Sequence, residues 1–502
     1  MYDWAAAAFA AILFLVLLKK FKVASAGQWV LSLSRDIVST IGNTTLSDLD
    51  KEKAMRGFAT TLFQLFLVIL LGGAAALAVP IGALWLLEQT GLVSIDAIID
   101  ISLSPVFIGA TLFLGGIAYL FVKRGEPSST KMTDHYSLMD RMVHHVAFRT
   151  RGAQIALADM EDKLYAGALN AVEAQRPVFV MALPRAGTTL LLQILESDGR
   201  FCSHTYRDMP LLLVPILWSK LSRAFHKTQQ LRERAHGDGM LVGLDSPEAF
   251  EEVIWSSFWK DQYGRQSVSP WNPALRYEEF EYFFKQHIKK IILLRQTNNF
   301  GPGRYLSKNN MNIARIGYLT KIFPQGAVII PFREPLQHAA SLLKQHVAFL
   351  QMHKTDRFAA KYMRDIGHYD FGENLKPINF DNWFNDWSDN WSDAQKAQES
   401  TTELTFWLHY WFAAYTHILE SLKDNVFLFP YDYFCVQPEE CLIALAEEIG
   451  ITDQARFVAQ AQTVSNPRRH VVNTDNIPKD LLVEANCLYD RLNSAAIYGL
   501  RL

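Results

Sequence analysis

From Thr61 to Leu87 the chain carries no charged residue, and only Gln64 and Pro80 interrupt its apolar character. Such a run constrains the backbone more than any other feature of the sequence. In hydrocarbon every N–H and C=O must be satisfied within the segment, and crossing takes roughly 20 apolar residues. The run therefore reads as a membrane-spanning helix. Two shorter runs accompany it, Trp4–Leu18 ("WAAAAFAAILFLVLL") and Val106–Val122. Both sit near the practical minimum of about 17 residues. A cleaved signal peptide is a poor reading of the first, because Lys19, Lys20 and Lys22 follow it rather than precede it. For the third, the alternative is a buried helix of a soluble domain. The expectation is a membrane region over 1–125 with about three transmembrane helices, roughly 4–18, 61–87 and 106–122.

Basic residues orient these spans. Lys19, Lys20, Lys22, Arg35, Lys51, Lys53 and Arg56 lie between the first and second runs. The next connection holds only Glu88, Asp96 and Asp100, and Lys123 and Arg124 follow the third run. The N-terminus is then outside, and everything beyond Lys123 is cytoplasmic. The 502 residues have a net charge of -2, which offers no basic surplus for nucleic acid. Cys202, Cys435, Cys441 and Cys487 form no C-x-x-C pair and suggest free thiols in a reducing compartment.

Residues 126–170 read as a helical connector and 171–502 as a cytoplasmic domain. In the domain short apolar runs alternate with helical periodicity. "PVFVMAL", "AVIIPF" and "NVFLFPY" read as strands. "LQHAASLLKQHVAFLQMH", "TELTFWLHYWFAAYTHILESL" and "PEECLIALAEEIG" read as helices, the last with Gly450 as cap. That alternation predicts an α/β fold with a parallel sheet flanked by helices. Ligands in such sheets bind at the carboxyl ends of strands.

Two loops fall there. In "LPRAGTT", Gly187 permits close backbone approach, and the amides of Gly187, Thr188 and Thr189 open a helix that favours an anion. Arg185 adds positive charge. The nucleotide-loop pattern G-x-x-x-x-G-K-[ST] fails, since position 188 is Thr and no glycine stands five positions before Gly187. In "PFREPLQHAASLL", Arg333 at a strand end and Ser341 on the next helix would hold a second phosphate.

"LPRAGTTLL" resembles the 5′-phosphosulfate loop of sulfotransferases, and "VIIPFREPLQHAASLL" resembles their 3′-phosphate motif. The resemblance covers roughly 177–450 and implies the P-loop-like sulfotransferase fold. It also implies 3′-phosphoadenosine 5′-phosphosulfate (PAPS) as donor, 3′,5′-ADP (PAP) as product, and no metal. By that likeness Arg185, Ala186, Gly187, Thr188 and Thr189 bind the phosphosulfate, and Arg333 and Ser341 the 3′-phosphate. Family members often have Ser where Ala186 stands, which removes one hydroxyl here and leaves the backbone cradle.

An acceptor hydroxyl must lose a proton. "DSPEAFEE" resembles the acidic segment that supplies a glutamate base in bacterial and membrane-associated relatives. Glu251 is the first choice, then Glu248, then Glu252. The alternative reading of these acids is as N-terminal residues of a helix, where negative charge is stabilised. His204, His338 and His346 are alternatives, and Lys308, His204 and Glu252 are further substrate-facing candidates. "NPRRH" loosely matches the family's C-terminal basic loop. Trp383, Trp387 and Trp391 recur at four-residue spacing, for core packing or an acceptor groove.

The reading is a membrane-anchored transferase moving a sulfuryl group from PAPS to an acceptor hydroxyl, lipid or glycan favoured, with the bilayer as partner. The rivals are a P-loop-like kinase and an inactive membrane scaffold.

Overall fold

The computed structural model describes residues 2–23, 25, 26, 29, 33, 48–104, 144, 147–223, 232, 233, 241, 242, 250–297, 301–388, 399–465, 469 and 471–497. The chain divides into two compact units, Met1–Met132 and Thr133–Leu502.

In the first unit α1 is Tyr2–Lys20, α2 is Asp48–Glu88 and α3 is Ile95–Leu103. Within α2, Phe58–Glu88 is long and apolar enough to cross a membrane, and the helix continues through Pro80. Phe63, Leu70, Leu71, Ile81 and Trp85 are exposed along it. The apolar part of α1, Asp3–Leu18, is shorter. Ala6 and Ala7 of α1 pack with Ile98 of α3, and Leu84, Val93 and Ile101 close around them. Acidic residues secure the start of α3. The amide of Ser94 donates to Asp3 Oδ1 at 3.0 Å, and that of Ile95 to Glu88 Oε1 at 3.1 Å. The expected span at 106–122 lies outside the described residues. Among the described residues one helix, Phe58–Glu88, is long and apolar enough to cross a membrane.

The second unit is built on five parallel strands. They are β1 (Val178–Val180), β2 (Phe201–Cys202), β5 (Arg304–Lys308), β6 (Ala327–Phe332) and β7 (Val426–Pro430), in the order β2-β5-β1-β6-β7. β3 (Arg232–Glu233) and β4 (Leu241–Val242) form a separate antiparallel pair. The helices that matter below are α4 (Arg151–Leu164), α5 (Thr188–Glu196), α6 (Glu252–Phe258), α7 (Glu278–Arg295), α8 (Ile316–Ile322), α9 (Pro335–Thr355), α10 (Arg357–Asp365), α11 (Leu404–Glu420) and α12 (Pro438–Ile449).

Successive strand side chains point to opposite faces, so both faces need cover. On one, Val178, Val180, Ile329 and Phe429 pack against Leu191 and Leu195 of α5 and Leu442 and Leu445 of α12. On the other, Phe179 meets Tyr305 and Phe323, and Phe323 meets Phe284 of α7. The chain leaves β1 for one side of the sheet, returns through β5, and crosses to β6 on the other side. That reversal falls at β1, and the carboxyl end of a strand at such a point is the usual ligand position in these sheets.

The three expected strands are present. β5 is an addition, because "RYLSK" mixes charge with apolar residues and gives no strand signal. The stretch "NMNIARIGYLTKIF" before β6 forms a 3₁₀ turn over Asn310–Arg315 followed by α8. Trp383 stacks on Tyr410 with ring centroids 5.2 Å apart and donates to the Ile378 carbonyl. Trp387 sets its ring against Phe406. Both therefore make packing contacts with α11, and Trp391 lies outside the described residues.

Candidate active site

The turn after β1 has two residues in the left-handed region, Arg185 at φ 69° and Gly187 at φ 93°. For arginine that conformation is costly, about 1–2 kcal/mol, so the surroundings must hold it. Gly187 is doubly constrained. A Cβ there would lie 2.2 Å from ring carbons of Tyr431. α5 begins at Thr188 with no side-chain cap on its first turn. Thr188 is buried and Thr189 partly exposed. An uncapped helix start behind a left-handed glycine offers amide donors to an anion.

The loop after β6 grips this turn. Arg333 Nη1 donates to the Arg185 carbonyl at 3.0 Å, and His338 Nε2 lies 2.8 Å from the Pro184 carbonyl. Arg185 Nε reaches Ser341 Oγ at 3.4 Å. Burial, reinforced by Arg333 and Arg185, pushes the His338 pKa down to about 3. The ring is therefore neutral, and its Nε2–H donates to the Pro184 carbonyl and clamps it. Arg333 also lies over the Tyr431 ring at 5.3 Å and 3.9 Å from Asp432 Oδ1. Among the described residues its Nε is buried without a hydrogen-bond partner. Glu334 caps α9 through the amides of Leu336 and Gln337, and its own amide donates to Asp432 Oδ2. A buried guanidinium donor left over beside an uncapped helix start suits a ligand with more than one phosphate group.

The glutamates lie at the end of β5, and both are buried. Glu251 Oε1 accepts from Trp255 Nε1 and Asn312 Nδ2, each at 2.9 Å, and its Oε2 accepts from the Tyr305 hydroxyl at 3.0 Å. Glu252 accepts from the Tyr263 hydroxyl, from Asn309 Nδ2 at 2.7 Å and from Arg315. Arg315 is fully buried and sits over the Trp255 and Trp271 rings at 4.1 and 4.7 Å. The Asn309 amide donates to the Val180 carbonyl at 3.0 Å, tying this network to the end of β1. Glu248 lies outside the described residues.

Lys308 pairs in register with Val180 and is buried at the same strand end. His204 does not face an open cleft. It is buried, stacked on His287 with ring centroids 5.0 Å apart, and 3.5 Å from Asp208. His346 is likewise enclosed, between Thr401 and the Gly372 amide, and burial lowers its pKa to about 4. Of the basic stretch "NPRRH" only Arg469 is described, and it is exposed.

Sequence reasoning missed Tyr431 and Asp432, although they follow β7 at a strand end as Arg185 and Arg333 do. It also missed Asn309, Asn312 and Arg315, which carry no motif.

Residues 177–379 match the model of the family described as "Sulfotransferase family". No curated protein matches the chain. Among solved structures the chain is similar to the sulfotransferase STF9 from Mycobacterium avium, at 15% identity over 79% of this chain and 90% of that one, with a TM-score of 0.38. It is similar also to the sulfotransferase STF1 from Mycobacterium tuberculosis H37Rv, at 14% identity over 76% and 90%, with a TM-score of 0.35. A third is the sulfotransferase domain from the Synechococcus PCC 7002 olefin synthase, at 12% identity over 64% and 96%, with a TM-score of 0.29.

Proposed function

We propose, from the premise that residues 177–379 belong to the sulfotransferase family, that this chain is a membrane-anchored enzyme moving a sulfuryl group from PAPS to an acceptor hydroxyl. The observation that carries the reading is the interlock of two anion loops on adjacent strands. Arg333 holds the Arg185 carbonyl while Arg185 reaches Ser341. PAPS has phosphate groups at both ends of its ribose and, when bound, supplies the activated sulfuryl group.

Each residue then has a distinct task. The amides and hydroxyls of Gly187, Thr188 and Thr189 hold the 5′ side, with Ala186 in the same turn. Arg185 supplies charge to the departing phosphate, the term that dominates such displacements. Arg333 and Ser341 hold the 3′-phosphate. Glu251 is the base we favour among the described glutamates. Its hydrogen-bond donors are all neutral, whereas Glu252 is committed to a buried ion pair with Arg315. Glu248 is the second choice, and Lys308 lies at the strand end where an acceptor would approach. Phe58–Glu88 is the central anchor, and together with spans at 4–18 and 106–122 the basic flanks keep the transferase domain in the cytoplasm and the N-terminus outside. Lipid or nascent glycan acceptors suit that location.

The test is calorimetry of 3′,5′-ADP with the full-length protein in detergent. We expect saturable binding, weakened about tenfold or more by Arg333→Ala. No binding by the wild-type protein would sink the reading. Membranes given radiolabelled PAPS should label lipid or glycan fractions, and Arg185→Ala membranes should not. Equal labelling would remove Arg185 from the chemistry.

A further inference from the structure

The second unit holds a cavity of about 530 Å3 between the start of α4, the end of α6 and the end of α10. That volume lies in the usual range for small-molecule sites, about 300–1,000 Å3. Its lining includes four cations, Arg149, Arg151, Lys260 and Arg364, against the single carboxylate of Asp365.

That carboxylate is already taken. It pairs with His144 at 2.9 Å and with Lys361. Arg151 donates to Ser256 Oγ at 3.2 Å and to the Asp365 backbone carbonyl, and among the described residues its buried Nε has no hydrogen-bond partner. Burial lowers the pKa of Arg151, as expected for a cation drawn out of water without a full counter-charge. Among the described residues Arg149, Lys260 and Arg364 form no ion pair. Like charges sharing one cavity repel, and a bound anion removes that cost. Phe148, Ile155 and Tyr369 give the same cavity an apolar wall.

The cavity adjoins the glutamate network. The Tyr369 ring meets that of Tyr263 at 5.8 Å, and the Tyr263 hydroxyl donates to Glu252. Gly367, at φ 86°, presses so closely on Glu252 that a Cβ would lie 2.5 Å from its Cγ. α6 carries Glu252 at its first position and Ser257 of the cavity near its last.

We infer that this cavity is an acceptor subsite for a phosphate group, carried by a phosphorylated sugar or by a phospholipid headgroup. Two guanidinium groups with free forks suit a tetrahedral oxyanion, and four cations suit more than one negative charge. The acceptor role rests on the sulfuryl-transfer reading, whereas the anion site does not.

The experiment saturates the full-length protein in detergent with 3′,5′-ADP, which fills the loops after β1 and β6. Glucose 6-phosphate and glycerophosphoglycerol, the water-soluble headgroup of phosphatidylglycerol, are then titrated separately by calorimetry. Binding of the first supports the site with a sugar source, and binding of the second alone supports it with a lipid source. Arg149→Ala/Arg364→Ala should weaken that binding about tenfold or more. Both side chains are exposed, so its unfolding temperature and 3′,5′-ADP affinity should match wild type. Absence of binding by both compounds, or binding unchanged in the double variant, overturns the proposal. Should 3′,5′-ADP itself fail to bind, the sulfuryl-transfer reading falls. The same titration without nucleotide, wild type against double variant, then still decides the cavity.

Discussion

The carboxyl ends of β1 and β5 are neighbours in one sheet, yet they are built by opposite means. The β1 end is made of backbone: a left-handed turn, an uncapped helix start, and carbonyls clamped by Arg333 and His338. It keeps donors in reserve. The β5 end is made of side chains from Glu251, Glu252, Tyr263, Asn309, Asn312 and Arg315, which spend their polar atoms on one another. Spare donors mark a place for a ligand, whereas a saturated buried network fixes the position of its own members, the proposed base Glu251 among them.

This contrast can be broken or sharpened by substitution. The largest effect is expected from Arg315→Leu, which leaves Glu252 buried and unpaired. Stability should fall by about 3–5 kcal/mol, read from thermal unfolding in detergent, and a loss under about 1 kcal/mol would deny the network its supporting role. Next is Glu251→Gln. Turnover should drop by about 10²–10⁴-fold while 3′,5′-ADP affinity holds. Unchanged turnover would move the base elsewhere and leave Glu251 purely in the scaffold.

A smaller effect is expected from Gly187→Ala, where the methyl meets the Tyr431 ring and the backbone is strained. Affinity for 3′,5′-ADP should fall about tenfold, from strain near 1–2 kcal/mol, and wild-type affinity would show that the turn tolerates a side chain. The smallest concerns pH. His338 has an ordinary value of 6.5 and a folded value near 3. Its contribution is complete above about pH 6.5. As pH falls towards 3 the unfolded chain takes a proton that the native ring refuses, so stability declines. His338→Asn can still donate to the Pro184 carbonyl and should flatten that decline, measured as melting temperature against pH. An unchanged profile would take His338 out of the acid response.

The same contrast explains what was legible in the sequence. The β1 and β6 loops could be read because each is a short contiguous segment whose task is done by backbone geometry and one arginine. The strands "AVIIPF" and "VFLFP" could be read because burial on both faces demands unbroken apolar residues. β5 could not, since "RYLSK" places its polar side chains in a network contributed from other elements. Neither Arg315 nor Asn312 has a local signature, because their glutamate partners lie some sixty residues earlier in the chain. In the first unit length and composition alone make Phe58–Glu88 recognisable.

The clamp on the first turn also bears on transplantation. Arg185 keeps its left-handed backbone while Arg333 and His338 hold the two carbonyls on either side of it. Moved alone to another strand end, "PRAGTT" would carry the strain without the restraint and relax out of its left-handed turn. The smallest portable piece of this site is therefore a pair of adjacent parallel strands with both loops attached.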